Sequence, residues 1–359
     1  MNRIDEVMPR RFQIKSQFLS ESAYPAWDRY VLHHEHGSPY LTTAWKKAVQ
    51  VGYGHKTSYL AAFSGSDVVG SLPLVTVKPP LVKNRLVSLP FCDFGGLLAD
   101  DPAVAENLLN QALKLAADQR ADLEIRCPAP AGAILSHGGF IQTTNKCRML
   151  LALPSTADEL WSGFKSKLRS QINRAEKNGL TCRLGGSELL NDFYQVFTRN
   201  MRDLGSPVHG KSWLTAIIQA FGKQAVVGVV YAGNSPAAAG IILCHGRTVS
   251  IPWASALREF NRLSPNMLLY WTFLKFAADS GCSSFDFGRS TPGEGTYSFK
   301  KQWGAAPAPL AWYRLGTARS QADEQTNGSL RRTMESVWKC LPLPAANILG
   351  PCLRKYIDR

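Results

Sequence analysis

The sequence predicts an α/β protein, with α-helices and mixed β-sheets arranged in two similar units. The chain has 359 residues, a length that suits two domains of about 150 residues each. Hydrophobic residues make up 45% of the chain and charged residues 19%, so each unit can bury a core. An order of hairpin strands, helix and strand occurs before residue 150 and recurs after it. We therefore expect one domain at residues 1–150, a second at 151–316, and a linker with a C-terminal tail at 317–359.

In the first unit, turn residues separate short apolar segments. Four segments rich in apolar and β-branched residues are predicted strands: Tyr59–Phe63, Val68–Val77, Arg85–Pro90 and Asp122–Arg126. Ser64–Asp67 lies between the first two and predicts a β-hairpin. Ala103–Arg120 has apolar residues at helical spacing after an Asp-Asp-Pro start, so it is predicted to form an amphipathic helix.

The second unit repeats this alternation of strands and helices. Its predicted helices are Leu160–Lys177, Leu189–Arg202, Ser212–Phe221 and Asn266–Ser280. Its predicted strands are Ala225–Tyr231, Ala237–Cys244, Thr248–Trp253 and Ser283–Phe287. The first of these helices carries five cations, and only Glu176 supplies a nearby negative charge. Two interpretations of its basic face stay open, an ordinary solvated surface and a surface that binds an anionic ligand.

The net charge of +14 is unevenly distributed along the chain. Residues 1–150 hold 16 Lys and Arg against 13 Asp and Glu, a net of +3, so residues 151–359 carry +11. A basic half attracts phosphate-bearing ligands such as RNA, nucleotide-linked precursors or acidic lipid, and a merely soluble basic surface is the alternative. The eight cysteines form no C-x-x-C pair, which favours reduced thiols in the cytoplasm. We expect neither a secretory signal nor a membrane-spanning helix, because no suitable apolar stretch is present.

Two motifs suggest other chemistry when they are taken in isolation. Gly205–Ser212 fits the phosphate-loop pattern G-x-x-x-x-G-K-[ST], but the residues before it have helical periodicity, which argues against a phosphate-loop NTPase. His33, His34 and His36 lack the H-E-x-x-H spacing and a nearby cysteine, so we expect no metal site there. The sequence has no G-x-S-x-G serine motif, and hydrolase chemistry is not indicated.

The stretch from residue 286 to 304 contains three cations and four aromatic residues around a glycine-rich turn. In the strand that precedes the turn, Phe285 and Phe287 share one face while Asp286 points to the other. The strand ends near Arg289, and ligands of open α/β sheets bind at such strand ends. The sequence therefore predicts a ligand site at this turn.

The two lysines of this stretch are not equivalent. If Tyr297–Trp303 is helical, Lys300 and Lys301 lie about 100° apart around the helix axis, so they cannot serve one small site equally. A simpler interpretation stays open, in which Arg289 pairs with Glu294 or the strand aspartate and both lysines are surface residues.

Four motifs of the chain resemble those of a known family. They are F-C-D-F-G-G at 91–96, N-M-L-L-Y-W at 266–271, D-F-G-R-S at 286–290 and G-T-Y-S-F-K-K-Q-W-G at 295–304. Together they are similar to the FemAB-related proteins associated with the PEP-CTERM/exosortase system, which fall within the FemAB-like aminoacyl/acyltransferases. The resemblance runs through most of the chain and implies two GNAT-like acyltransferase domains.

The resemblance implies transfer of an acyl or aminoacyl group to an amine of a cell-envelope or exopolysaccharide precursor. It implies no tightly bound cofactor, a donor that is aminoacyl-tRNA, acyl-carrier protein or acyl-CoA, and no DNA partner. Two residues map to catalytic positions: Lys300 would steady charge near the reacting ester, and Asp93 would contact the acceptor amine. The residues implied in substrate binding are Arg289, Arg202, Asp286, Tyr270, Asn266, Lys301 and Tyr297.

This set of groups suits attack of an amine on an activated ester or thioester. The reaction needs orientation and stabilisation of an oxyanion more than it needs a strong base. Asp93 or a substrate phosphate could take the proton of the amine. The GNAT coenzyme A loop R/Q-x-x-G-x-G/A has only an imperfect counterpart at 202–207, and no coiled-coil insertion for tRNA is visible, so the donor stays open.

The C-terminal residues 337–356 mix apolar and basic side chains. Pro342, Pro344 and Pro351 interrupt the segment, which predicts a poor continuous amphipathic helix. We expect the tail to pack back on the first domain, and contact with an anionic membrane at the inner face of the plasma membrane is the alternative. For the whole chain, the alternative to an enzyme is a non-catalytic RNA- or polysaccharide-binding module.

Overall fold

The structure is a computed structural model that describes residues 15–128, 139–142, 144–315 and 332–357. Its helices are α1 (Tyr24–His33), α2 (Thr43–Tyr53), α3 (Pro102–Asp118), α4 (Ala157–Gly163), α5 (Ser166–Lys177), α6 (Leu190–Leu204), α7 (Lys211–Phe221), α8 (Pro265–Asp279), α9 (Gly295–Gln302), α10 (332–339) and α11 (Leu343–Arg354). Its strands are β1 (Lys15–Phe18), β2 (Lys56–Ser64), β3 (Asp67–Val77), β4 (Arg85–Val87), β5 (Leu98–Ala99), β6 (Asp122–Pro128), β7 (Phe140–Gln142), β8 (Cys147–Ala152), β9 (Leu180–Gly185), β10 (Ala225–Ala232), β11 (Ser235–His245), β12 (Thr248–Ala256), β13 (Ser284–Ser290) and β14 (Ala306–Leu315). The start of the chain and the linker expected from residue 317 to 331 lie outside the described residues.

The strands form one continuous mixed sheet. Their order is β1-β2-β3-β4-β6-β14-β8-β13-β12-β11-β10-β9, with β5 beside β3 and β7 beside β14. In one half, β2, β3 and β4 are antiparallel and β4 runs parallel to β6. In the other half, β10, β11 and β12 are antiparallel and β12 runs parallel to β13. The predicted α/β fold with two similar units is confirmed.

Each parallel pairing is short. Arg85–Val87 pairs with Asp122–Glu124 in the first half, and Thr248–Ser250 pairs with Ser284–Asp286 in the second. A parallel ladder three residues long leaves the following backbone groups free to bond elsewhere. The segments that follow β4 and the paired part of β13 supply the candidate site described below.

Strand β14 joins the two halves of the sheet. Its residues Ala306–Pro309 pair with β8, and Leu310–Arg314 pair with β6. The domain boundary expected at residue 150 lies inside β8, which also pairs with β13. One of the three hydrophobic clusters also spans both halves, since the ring of Trp45 on α2 meets the ring of Trp213 on α7 at 5.4 Å.

Helix α3 shows how the local sequence specifies an element. The Asp101 side chain accepts hydrogen bonds from the backbone N–H groups of Ala103 and Val104, which satisfies donors of the first turn. Pro102 occupies the first helical position, where no N–H is needed. The apolar stripe is buried against β2, β3 and β6, and it consists of Val104, Leu108, Ala112 and Ala116.

One predicted helix is wrong in its extent. The chain from residue 160 to 177 forms two helices, α4 and α5, because Phe164 and Lys165 are extended. The break lets the Phe164 ring pack edge-on against Trp271 at 5.8 Å and Trp303 at 5.7 Å. Burial of a large ring outweighs the few helical hydrogen bonds lost at the break.

The C-terminal tail also differs from the prediction. The prolines were expected to prevent a continuous helix, yet α11 runs from Leu343 to Arg354. Pro344 lies in the first turn, where a backbone N–H has no helical partner. Gly350 permits close packing on Val208, since an added Cβ would lie 2.9 Å from Val208 Cγ1. Among the described residues, no helix has both the length and the apolar character needed to cross a bilayer.

Candidate active site

Strand β13 turns sharply at the end of its parallel pairing. Its register with β8 shifts between Asp286 and Arg289, and Gly288 adopts φ +74°, a conformation that favours glycine. The backbone N–H of Gly288 donates to Asp286 Oδ1 at 2.8 Å. The aspartate therefore fixes the turn that follows it.

Asp286 forms a buried ion pair with Arg148 of β8. The Nε and Nη2 atoms of Arg148 each lie 2.9 Å from Asp286 Oδ2. Burial raises the pKa of Asp286, while Arg148 and the Gly288 N–H oppose that rise. The Arg148 guanidinium also lies 4.0 Å from the centre of the Phe94 ring. This pair connects β8, β13 and the segment that follows β4.

Asp93 reaches the same turn from the first half of the chain. Its Oδ2 accepts a hydrogen bond from the backbone N–H of Arg289 at 2.8 Å, and its Oδ1 lies 3.6 Å from Arg289 Nε. The side chains of Asp93 and Arg289 are partly exposed, at 19% and 22%. This carboxylate and guanidinium are therefore accessible to a ligand, in contrast to the buried pair of Asp286 and Arg148.

Lys300 of α9 points its ammonium group at the turn. Its Nζ donates to the backbone carbonyls of Gly288 at 3.1 Å and Arg289 at 2.8 Å. Only 8% of Lys300 is exposed, and this burial lowers its pKa to about 8, although Asp93 and Asp286 favour the charged form. In the described part of the chain, no carboxylate lies within ion-pair distance of this ammonium. Two of its three N–H donors are used, and one is left for a ligand.

The Trp312 side chain of β14 contacts both Asp93 and Arg289. Its indole N–H donates to the backbone carbonyl of Asp93 at 2.9 Å. The guanidinium of Arg289 lies 4.8 Å from the centre of the indole, and that of Arg126 lies 4.3 Å from it. A guanidinium that packs on an aromatic face can still bind an anion through the N–H groups at its edge.

The structure brings four of the predicted site residues together: Lys300, Asp93, Arg289 and Asp286. The other five lie differently. Tyr270 is buried in ring contacts with Phe287 at 5.6 Å and Phe299 at 5.0 Å, so it packs beneath α9. Lys301 is exposed, while Tyr297 and Asn266 are half-buried on α9 and at the start of α8.

Arg202 lies away from this cluster. Its Nε donates to Asp203 Oδ1 at 2.7 Å and its Nη1 donates to the Leu341 carbonyl at 3.2 Å. These contacts tie the end of α6 to the C-terminal segment. The mapping of Arg202 to a ligand-binding position by resemblance therefore receives no support from its contacts.

The phosphate-loop pattern at 205–212 connects two helices. Helix α6 precedes it where a phosphate loop has a strand, and Gly205 ends α6 with φ +81°. Lys211 donates to Asn191 Oδ1. The segment thus fits the expectation that it is not a nucleotide-binding loop.

Two residues of the candidate site, Arg148 and Trp312, were not predicted from the sequence. Both lie within strands that were also not predicted, β8 and β14. A usable signal was the single cation inside the apolar run from Cys147 to Ala152, since a charge among strand residues is expected to have a buried partner.

A surface hollow of about 1090 Å³ between α1 and α2 contains none of the predicted site residues.

The tight packing around Gly288 gives a first prediction. A Cβ at this position would lie 3.1 Å from Asp93 Oδ2, and φ +74° disfavours any L side chain. We expect Gly288→Ala to lower activity strongly and to lower the free energy of unfolding by about 1–2 kcal/mol. Gly293→Ala is the matched control, because Gly293 has φ +85° with no atom within 4 Å of the added Cβ. Equal activity of the two variants in an acyl-transfer assay would contradict the assignment of Asp93.

Part of the chain matches a known protein family. Residues 162–301 match the family described as an acetyltransferase (GNAT) domain. The match includes Arg289 and Lys300, and Asp93 lies outside it. A search of curated protein sequences gave no significant match.

Several solved structures share the fold over most of the chain. FemX has 16% identity and a TM-score of 0.68, and the alignment covers 86% of this chain and 99% of FemX. The C-terminal domain of a putative lysylphosphatidylglycerol synthetase from Agrobacterium fabrum has 12% identity and a TM-score of 0.59, with 86% and 96% coverage. A tandem GNAT protein from the clavulanic acid biosynthesis pathway has 11% identity and a TM-score of 0.56, with 85% and 100% coverage.

These likenesses establish the fold, and the family match identifies the catalytic type of the second half. The expectation of a GNAT-like fold is confirmed, and so is the expectation of an acyltransferase. Residues 162–301 form a GNAT acyltransferase domain, and the chain that contains them is an acyltransferase with a GNAT-like fold.

Proposed function

We propose that the protein transfers an acyl or aminoacyl group from an activated ester or thioester to an amine of a cell-envelope or exopolysaccharide precursor. The observation that carries the proposal is the Lys300 ammonium, which is buried where both halves of the chain meet and is held by two neutral carbonyls. The likeness to a lysylphosphatidylglycerol synthetase domain supports an aminoacyl group, and the FemAB-like motifs support an envelope acceptor.

In the proposed reaction, the amine nitrogen of the acceptor forms a bond to the acyl carbon of the donor. Negative charge develops on the carbonyl oxygen. The C=O bond then re-forms as the C–O or C–S bond to the leaving group breaks, and the leaving oxygen or sulfur takes the electron pair. The remaining N–H of Lys300 donates to that oxygen. A preorganised charged donor in a partly dry site costs little reorganisation at the moment of reaction, so its effect on the rate is large.

Asp93 is proposed to orient the acceptor amine and to accept its proton. Its carboxylate is held by the backbone N–H of Arg289 and remains partly exposed. The Arg289 guanidinium, 4.8 Å from the centre of the Trp312 ring, is proposed to bind a phosphate or carboxylate of the donor or acceptor. The site therefore offers one group for each of three tasks: oxyanion stabilisation, amine orientation and anion binding.

A parallel donor assay tests this proposal. The purified protein would receive labelled aminoacyl-tRNA, acyl-CoA and acyl-carrier protein in separate reactions, with an envelope-precursor extract as the acceptor. We expect label to appear in amide linkage on the acceptor with one donor class, detected by mass spectrometry. Binding of RNA or polysaccharide without transfer from any donor would instead favour a non-catalytic binding module.

The lowered pKa of Lys300 gives a prediction for the pH profile. Transfer needs the ammonium form, and the pKa of about 8 means that this form is lost as the pH rises through 8. We expect kcat/KM to fall above pH 8 in the unmodified protein. Lys300→Arg should lack this descending limb at any activity it retains, because arginine stays charged. A wild-type rate that keeps rising to pH 10 would contradict the proposed role.

A further inference from the structure

Exposed apolar side chains are concentrated at the C-terminal end of the described chain. The structure has 13 exposed large hydrophobic residues, and six of them lie between residues 332 and 357. These six form what we call the C-terminal surface: Met334, Val337, Ile348, Leu349, Leu353 and Ile357. Single exposed apolar residues need no explanation, whereas six within 26 residues of one segment make that segment a candidate interaction site.

Helix α11 carries three of these six residues. Ile348 is 71% exposed and Leu349 is 47% exposed, while Ala346 and Gly350 are buried against the body of the protein. Leu353 continues the exposed side one turn later, at 43%. The helix therefore packs small residues against the protein and presents large apolar residues to the outside, the opposite of an ordinary surface helix.

Polar contacts hold α11 and the residues after it in place. Arg354 Nε donates to His209 Nε2 at 3.2 Å, and burial keeps the pKa of His209 well below its usual value, so the imidazole is neutral and accepts this bond. His55 Nε2 lies 2.8 Å from the Lys355 carbonyl, and Arg85 Nη2 donates to the Tyr356 carbonyl at 2.7 Å. The outward apolar face is thus a fixed part of the fold.

The charge of this segment indicates what covers the face. Residues 332–357 contain four cations, Arg332, Lys339, Arg354 and Lys355, against one carboxylate, Glu335. A second copy of the chain would bring the same positive charge to the contact and be repelled. An anionic lipid surface offers both an apolar layer for the side chains and negative headgroups for the cations.

We propose that the C-terminal surface docks the protein on an anionic membrane, with α11 lying in the headgroup region. Apolar side chains and basic residues act together in such binding, and neither alone is sufficient for a short helix. Because α11 is fixed to both halves of the chain, docking would hold the Asp93 and Lys300 site in one orientation relative to the bilayer. The proposal does not depend on the acyl acceptor, since it concerns binding alone.

Vesicle cosedimentation of the full chain tests the proposal. We expect binding to vesicles of phosphatidylcholine with 30% phosphatidylglycerol, and weak binding to pure phosphatidylcholine. Ile348→Ser/Leu349→Ser should weaken binding about tenfold, and Arg332→Gln/Lys339→Gln about fivefold or more. The matched control is Phe18→Ser/Leu32→Ser, which removes two residues that are 58% and 47% exposed on β1 and α1 and should bind as wild type.

A second measurement reads out the helix itself. Cys352 is exposed on α11, and Cys340 is the other exposed cysteine. In Cys340→Ser, an environment-sensitive fluorophore on Cys352 should shift to the blue on addition of the anionic vesicles. Unchanged emission would overturn the proposal, as would equal vesicle binding by Ile348→Ser/Leu349→Ser. A dimer in analytical ultracentrifugation that this double variant abolishes, without vesicle binding by the wild type, would assign the face to a second copy instead.

Discussion

Replacing Lys300 with methionine is expected to lower the rate of acyl transfer by about 10²–10³-fold, the usual cost of losing one oxyanion donor. Methionine has a similar length and fills the same space, but it offers no N–H to the reacting oxygen. Donor binding, measured by titration calorimetry, should remain close to that of wild type. Stability should be retained as well, because an apolar side chain in a buried position avoids the cost of desolvating an ammonium.

The chain supplies a matched control for this variant in the adjacent residue. Lys301 has the same chemistry and lies on the same helix, but it is exposed. Lys301→Met should therefore retain most of the wild-type rate. Comparable losses in the two variants would show that the positive charge of the helix matters and that the buried ammonium has no special role. Loss of binding alone in Lys300→Met would favour the non-catalytic alternative.

The second large effect is expected at the ion pair of Arg148 and Asp286. Arg148→Met leaves a buried carboxylate without its partner, which should lower the free energy of unfolding by about 3–5 kcal/mol in chemical denaturation. In contrast, Lys83→Met removes an ion pair with Asp122 whose side chains are 60% and 41% exposed, and it should cost less than about 1 kcal/mol.

A double variant separates charge from packing at this pair. In Arg148→Met/Asp286→Asn the buried charge is gone, and the amide oxygen can still accept the Gly288 N–H bond. Part of the lost stability should therefore return. If Arg148→Met alone were as stable as wild type, Asp286 would have to be neutral in the folded protein, and the turn at Gly288 would have a different basis.

Short-range patterns in the sequence predicted most of the local structure. Apolar spacing located α3 and the hairpin of β2 and β3, because each buries one continuous face. Helical geometry alone predicted that Lys300 and Lys301 have different surroundings, and the first is buried while the second is exposed. The break at Phe164 could not be predicted in this way, since it depends on two tryptophan rings more than 100 residues away in the chain.

The same limit applies to the candidate site. Asp93 was identified only through resemblance, and its contact with Arg289 could not be predicted, because nothing in a single sequence relates residues almost 200 positions apart. The contribution of Trp312 was missed because β14 pairs with both halves of the sheet, and its proline-rich start does not have the pattern of a central strand. Arg202 was assigned by resemblance, and its side chain contacts Asp203 and the C-terminal segment.

A structure with a bound phosphonate analogue of the tetrahedral intermediate tests the central claim most directly. We predict a phosphonate oxygen about 2.7–3.1 Å from Lys300 Nζ, with the group that mimics the acceptor amine next to Asp93. An analogue bound elsewhere, with the Lys300 ammonium contacting only the carbonyls of Gly288 and Arg289, would contradict it.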